Sequence, residues 1–281
     1  MSILGNRVRR VEDPRFLTVG GTYCADLRDP LLEGALHATY VRSTIAHGTL
    51  NSIDVSDAAA MPGVVAVITA ADLDIGPLPP AVPMLNPAMS RPFLATDRVR
   101  FVGEPVAVVV AESPTIGADA AEAVWVDVDP LPALVDLDEA LANDVLLFPE
   151  AGSNVAVDMD FGRDESLFDG CDVVVTRTFV NQRVAGAPLE GRSAAATWED
   201  GRLRLWISTQ SAHGVRDALA GIYGLEPAQI RVTAPDVGGG FGPKIGGHPE
   251  DLLLPWLANR FDRPVRWTET RSENMVAMGQ G

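Results

Sequence analysis

Cysteine is scarce: the 281-residue sequence has two, Cys24 and Cys171, which fit neither a CxxC motif nor a disulfide framework. Two thiolates cannot hold an iron–sulfur cluster, which takes four, or two together with two histidines. The four histidines (His37, His47, His213 and His248) are scattered without zinc-ligand spacing, so any metal must arrive with its own ligands. Lysine is scarcer still, Lys244 being the only one among 22 basic residues. Long apolar runs are also missing. The longest purely aliphatic stretch, Val106 to Ala111, is far too short to cross a bilayer. The arginines of "MSILGNRVRRVEDPRF" have no apolar segment behind them, which excludes a secretory signal. Positive charge is outweighed: the net charge of -16 repels phosphate backbones and excludes a nucleic-acid role. Together these absences predict a cytoplasmic protein without membrane or nucleic-acid partners.

Hydrophobic residues at 47% and charged residues at 21% give a globular composition, and the length has room for two domains. In "LNSIDVSDAAAMPGVVAVITAADL" the pattern predicts a strand, a helical turn begun at Ser56, a stop at Pro62-Gly63 and a strand over Val64 to Thr69. "VGEPVAVVVAESPTIGADAAEAVWVDVDPLPALVD" repeats the plan: a buried strand, a helix from Pro114 to about Ala123 and an alternating strand from Val124. These two strand–helix–strand units predict one α/β domain ending near Asp136, with the proline-rich "GPLPPAVPMLNP" as an extended loop between them. After a connection rich in Asp and Gly, "CDVVVTRTFV" reads as a strand and "SAAATWEDGRLRLWISTQ" as a hairpin turning at Asp200-Gly201. A helix with Val215, Leu219, Ile222 and Tyr223 on one face follows and ends at Gly224. "AQIRVTAPD" and "RPVRWTET" read as strands, and "PEDLLLPWLANRFD" as a helix with Pro255 as its kink point.

Between the strand and that last helix lies "PDVGGGFGPK", residues 235–244. It is not a Walker loop, because Pro243 and Ile245 flank Lys244 where Gly and Ser or Thr are needed. It is not a dinucleotide fingerprint either, since Pro243 breaks the glycine spacing and the helix starts too late. A tight turn with close packing is one reading. Phe241, held between glycines, favours another: a loop sealing a dry cavity while its N–H groups face a ligand.

"DVGGGFGPK" resembles the molybdenum-cofactor loop of the xanthine dehydrogenase / aldehyde oxidase / aerobic carbon monoxide dehydrogenase family. "RVEDPRFLTVGGTYCADL", "NQRVAGAPLEGR", "ISTQSAHGVRDALA" and "RPVRWTETRSENM" also resemble that family, and in its order. The resemblance implies a mixed α/β (α+β) fold. Its N-terminal segment and hammerhead domain take residues 1–136, and the opening half of a molybdenum-cofactor-binding domain takes residues 137–281. It further implies that the amide of Gln210, 31 residues before Phe241, bonds to an oxygen ligand of molybdenum. Gly239, Gly240, Phe241 and Gly242 then form the cofactor-binding segment whose backbone N–H approaches the oxo group. Gln210 and Phe241 would thus stand against the metal's oxygen ligands rather than on the metal. Fixed N–H donors suit a negatively charged oxygen in a dry site.

Ile245 stands where purine-oxidising members carry glutamate, which argues against purines. Leu189-Glu190-Gly191 replaces the usual Met-Glu-Pro. Glu190 is expected to be structural, paired with Arg183 or Arg192; His213 and His248 are read as plain loop or helix residues; and in the full-length protein Lys244→Ala, if no phosphate is gripped there, is expected to be mild for cofactor loading. No acidic residue here is nominated as the general base, whose glutamate the resemblance places beyond residue 281. The function implied is oxidative hydroxylation of an aldehyde, a heterocycle or carbon monoxide by a molybdenum–molybdopterin cofactor in its cytosine dinucleotide form. Electrons would leave through Fe–S and FAD groups on partner subunits, and the rest of the molybdenum domain would come from a missing C-terminal half. The alternative is a catalytically inactive, truncated binding or assembly module of the same fold.

Overall fold

The computed structural model describes residues 4, 5, 7–80, 84–162 and 164–279; part of the proline-rich loop therefore lies outside the described residues. The strands are β1 (Leu36–Arg42), β2 (Gly48–Asp54), β3 (Val64–Thr69), β4 (Arg98–Val99), β5 (Pro105–Ala111), β6 (Trp125–Pro130), β7 (Ser193–Glu199), β8 (Arg202–Ile207), β9 (Ile230–Thr233) and β10 (Val265–Thr268). The helices are α1 (Asp13–Thr18), α2 (Ser56–Ala59), α3 (Pro114–Glu122), α4 (Leu137–Ala142), α5 (Ala212–Tyr223), α6 (Pro249–Phe261) and α7 (Arg271–Ala277).

Seven strands form one sheet in the order β3-β5-β1-β10-β7-β8-β9, and β4-β2-β6 form a second. All of β5 is buried, between β3 and β1. Its Val108 and Val110 face the larger apolar core, and Ala107, Val109 and Ala111 face a smaller one. A strand covered on both faces needs apolar residues at every position, which is why the aliphatic run sits here. The two expected strand–helix–strand units are present as elements, but each splits its strands between the sheets. β2 and β6 pair in the small sheet, β3 and β5 in the large one. Alternation in β6 explains the split: Val126 and Val128 turn inward to the smaller core beside Leu50 and Ile53, leaving its other face to solvent.

β1 pairs in parallel with β10, Leu36 opposite Val265, so the large sheet joins the two halves of the sequence. The β7–β8 hairpin turns at Asp200 (φ 51°) and Gly201 (φ 72°), both left-handed as a two-residue type I′ turn requires. α5 buries Val215 and Leu219, with Ile222 and Tyr223 partly buried, and closes on Gly224 at φ 62°. α6 is buried from Pro249 to Ala258 and runs through Pro255 as one element. Proline removes a helix N–H and frees carbonyls upstream. Tyr40 Oη donates to Glu250 O at 2.9 Å and Tyr223 Oη to Leu252 O at 2.7 Å, so hydroxyls serve that turn.

One expected element is absent. The stretch "CDVVVTRTFV" is not a strand: residues 172–187 are mostly exposed, belong to no helix or strand, and form no backbone hydrogen bond among the described residues. β-propensity alone cannot make a strand without a neighbouring edge to pair with.

Candidate cofactor-binding site

β8 and β9 are parallel neighbours, with Trp206 opposite Thr233, so their C-terminal ends open at the same edge of the sheet. The segment Ser208–Gln210 leaves one end and the glycine loop leaves the other, which brings together residues far apart in sequence. Ligand crevices form at such carboxyl ends in α/β sheets.

The loop's backbone is fixed by specific contacts. Gln210 Oε1 accepts the Gly242 N–H at 3.0 Å, and Gln210 N donates to Lys244 O at 2.9 Å. A Cβ on Gly240 would collide with the Gln210 carboxamide, so glycine there makes room for that side chain. At Gly239 (φ 103°) a Cβ would lie 2.9 Å from the Phe241 ring and 3.1 Å from Pro188. Phe241 takes the left-handed region at φ 55°, unusual for a residue with a side chain, and is 74% exposed. It does not seal a cavity within this chain; its ring lies against Gly239, with Ile245, four residues on, and Leu189, next to the Pro188 that also borders Gly239, as further exposed apolar side chains. The Gly242 N–H, expected to face a ligand, is already used by Gln210. Among the described residues the N–H groups of Gly239, Gly240 and Phe241 and the Gln210 amide nitrogen have no acceptor. Four donors, close together in the loop and beside it, are therefore without a partner among the described residues.

Lys244 holds this surface up. Its side chain is fully buried, and Nζ donates to Glu190 O (2.8 Å), Glu190 Oε2 (3.1 Å) and Ser208 Oγ (2.9 Å). Glu190 Oε2 also accepts from Ser208 Oγ and from the Gly238 N–H, both at 2.7 Å, while Glu190 N donates to Gly238 O at 3.2 Å. One ion pair thus ties the start of the loop, its end and the β8 terminus together. Glu190 is structural as expected, but its partner is Lys244, neither Arg183 nor Arg192. Arg192 is occupied elsewhere: its guanidinium meets Glu250 at 3.0 Å and Glu269 at 2.6 Å, both fully buried. The buried pair argues against a mild Lys244→Ala, since removing the ammonium would strand a largely buried carboxylate. A lone lysine in an arginine-rich chain was the available signal.

Sequence reasoning also missed the N-terminal brace. Arg15 holds Asp236 in a bidentate pair at 2.6 and 2.7 Å, and Asp236 accepts the Thr22 N–H at 2.8 Å. Beside the guanidinium, the Asp236 carboxyl is held down at about 2. His248, read as a plain residue, caps the far side: its Nε2 lies 2.7 Å from Pro243 O, and burial lowers its pKa. No group of three or more His, Cys, Asp or Glu able to hold a metal occurs among the described residues. The surface offers hydrogen-bond donors, which suit a ligand rich in acceptor atoms.

Two family profiles match: that of the aldehyde oxidase and xanthine dehydrogenase a/b hammerhead domain over residues 19–132, and that of the molybdopterin cofactor-binding domain over residues 147–281. The chain belongs to the aldehyde oxidase and xanthine dehydrogenase family. The four unpaired donors lie in the part matched to cofactor binding. Among curated members, the chain is similar to the nicotine 6-hydroxylase large subunit of Paenarthrobacter nicotinovorans, 38% identical over 98% of this chain and 34% of that protein. It is also similar to the carbon monoxide dehydrogenase large chain of Afipia carboxidovorans, 36% identical over 97% of this chain and 35% of that one. Among solved structures, quinoline 2-oxidoreductase from Pseudomonas putida 86 superposes with a TM-score of 0.88 at 40% identity, over 97% of this chain and 35% of that one. The chain spans about a third of the length of the relatives it matches. No helix among the described residues is long and apolar enough to cross a membrane.

Proposed function

We propose that this chain supplies one wall of the cofactor site of a molybdenum hydroxylase large subunit. The carrying observation is the set of four unpartnered donors, on Gln210, Gly239, Gly240 and Phe241, braced by the buried Lys244–Glu190 pair. The cofactor is a molybdenum–molybdopterin, of the cytosine dinucleotide form, and when bound it supplies the two-electron redox chemistry. The Gly242 N–H holds the Gln210 carbonyl, so the amide NH2 is the group left to donate. The Gly239–Phe241 backbone, with no Cβ at Gly240 in the way, adds donors already fixed in place, which need no reorganisation when charge develops opposite them. Phe241 and Ile245 present apolar surface that excludes water once covered, and inside a dry site each donor counts for more. One exposed wall cannot enclose such a ligand, since small-molecule sites bury about 70–90% of theirs. The remaining walls, and the general base, come from the rest of a large subunit.

The substrate is an aldehyde, a heterocycle or carbon monoxide. Ile245, exposed beside the wall, offers no carboxylate for purine recognition. Electrons leave through Fe–S and FAD groups on partner subunits, because Cys24 is buried and Cys171 stands alone. Both cysteines are free, in keeping with a cytoplasmic site. The test is anaerobic: mix the assembly containing this chain with an aldehyde, an N-heterocycle or carbon monoxide and follow the visible bands of flavin and clusters. Bleaching by one substrate class is expected. An assembly that carries both chromophores yet is reduced by none of the three would contradict the reading and favour an inactive assembly module.

A further inference from the structure

The structure assigns His248 as a positioning residue for the donor loop: its imidazole, set between α6 and Pro243 O, fixes the end of the loop that carries the Gln210 contact. This rests on the reading of the loop as a wall of the cofactor site. His248 stands at the N-cap of α6 in an extended conformation. Just before it, Gly246 takes the left-handed region at φ 78°, and a Cβ on Gly247 would lie 2.6 Å from the Leu252 side chain. That tight path folds the chain back, so that His248 Nε2 comes within 2.7 Å of Pro243 O, five residues earlier. A carbonyl oxygen only accepts, so Nε2 carries the hydrogen, and a neutral ring then leaves Nδ1 as an acceptor. That acceptor serves the capping box with Asp251: the ring takes the Asp251 N–H, while Asp251 Oδ2 accepts the His248 N–H at 3.2 Å. The surroundings keep the ring neutral, since burial first and Arg192 second lower the His248 pKa against the pull of Glu250. One ring therefore does two things: it caps the helix and braces the loop.

The brace meets the loop at a residue that offers little else to hold. Proline has no N–H, so the carbonyl is the one backbone group by which Pro243 can be fixed. Its neighbours are the two residues that grip Gln210: the Gly242 N–H bonds to Gln210 Oε1 at 3.0 Å, and Lys244 O accepts the Gln210 N–H at 2.9 Å. The Ile245 N–H closes the same turn on Gly242 O at 2.8 Å. Phe241 (φ 55°) and Gly242 (φ 94°) are both left-handed, a conformation that a residue with a side chain keeps only where its surroundings impose it. Without the brace this turn would relax, drawing the Gly242 N–H off Gln210 and shifting the unpaired donors of Gly240 and Phe241 with it.

Two substitutions separate the brace from the cap. The amide nitrogen of glutamine reaches as far along its side chain as histidine Nε2, whereas asparagine ends at the level of Nδ1. His248→Gln therefore keeps a donor for Pro243 O, while His248→Asn keeps a cap oxygen and cannot reach that carbonyl. Hydrogen–deuterium exchange is measured on the complete large chain in these two forms and the wild type, without cofactor. Molybdenum content is measured on the same three chains produced with the cofactor supplied. The Gly242 amide should exchange about 5-fold faster in His248→Asn, the effect of one lost hydrogen bond, and at the wild-type rate in His248→Gln. Amides of α6 beyond its first turn should exchange alike in all three. Molybdenum content should fall in His248→Asn and hold in His248→Gln. Wild-type exchange or wild-type molybdenum in His248→Asn would overturn the proposal, as would a failure of His248→Gln to restore either. Faster exchange throughout α6 would also overturn it, marking His248 as a helix cap alone. The two claims fail separately: the exchange pattern in a wild-type chain that takes up no molybdenum would defeat the cofactor reading only, and a loaded chain without the pattern would defeat the brace only.

Discussion

Lys244 is the residue on which the candidate site depends most visibly. Breaking a buried pair by removing one partner costs about 3–5 kcal/mol, so Lys244→Met should lower unfolding free energy by roughly that amount in urea titration. A loss below about 0.5 kcal/mol, the range of ordinary surface substitutions, would show that the clamp carries little. Gln210 and Gly240 form a second unit, since the carboxamide occupies the space a Cβ would need. Gly240→Ala should push the Gln210 carboxamide aside and break its bond to the Gly242 N–H, at a cost of about 0.5–1.5 kcal/mol. In a Gln210→Ala background most of that penalty should vanish, and additive losses would contradict the contact. In the complete enzyme, Gln210→Ala should also cost about 10²–10³ in turnover, as removal of one preorganised donor does. That Gln210 lies against the glycine loop was legible in the sequence through their shared motif order. The partner of Glu190 was not, because ion pairing depends on which strand ends share an edge, and periodicity does not report that.

At the scale of elements, helix and strand positions followed from apolar spacing, caps and turn residues: β3 and the Asp200-Gly201 turn fall where the pattern predicts. The failures have one cause. The expected strand from Cys171, and the placing of β2 with β3, both turned on pairing, which is a property of two segments rather than one. The N-terminus of α6 shows another feature hidden from sequence, a cluster of buried charge. Arg192 and Arg42 hold Glu250 well below the usual carboxylate range, while burial pushes Asp251 up to about 7. Asp251 therefore keeps in the folded state a proton that an unfolded aspartate loses above about pH 4. Its contribution to stability is complete below about pH 4 and is lost as pH rises toward 7, with a limiting slope of about 1.36 kcal/mol per pH unit. Asp251→Asn should remove that slope. Unfolding free energies of the two proteins measured from pH 4 to 7 should therefore diverge, and parallel curves would contradict the assignment.

Across the whole molecule, the seven-stranded sheet joins the part matched to the hammerhead domain to the part matched to the cofactor-binding domain through β1 and β10. The donor surface is thus mounted on the same rigid frame as the N-terminal half, with the Arg15–Asp236 pair as a further tie. What the frame lacks is enclosure, and that sets the behaviour expected of the protein alone: it should purify without metal, because one wall buries too little of a large ligand. The most direct measurement is elemental analysis of molybdenum, with pterin quantified alongside, on the complete large chain that contains these residues. The account expects close to one molybdenum and one pterin per chain, and none in the 281-residue protein isolated by itself. A complete, folded chain that carries neither, even when produced with the cofactor supplied, would contradict the claim that these four donors face a molybdenum cofactor.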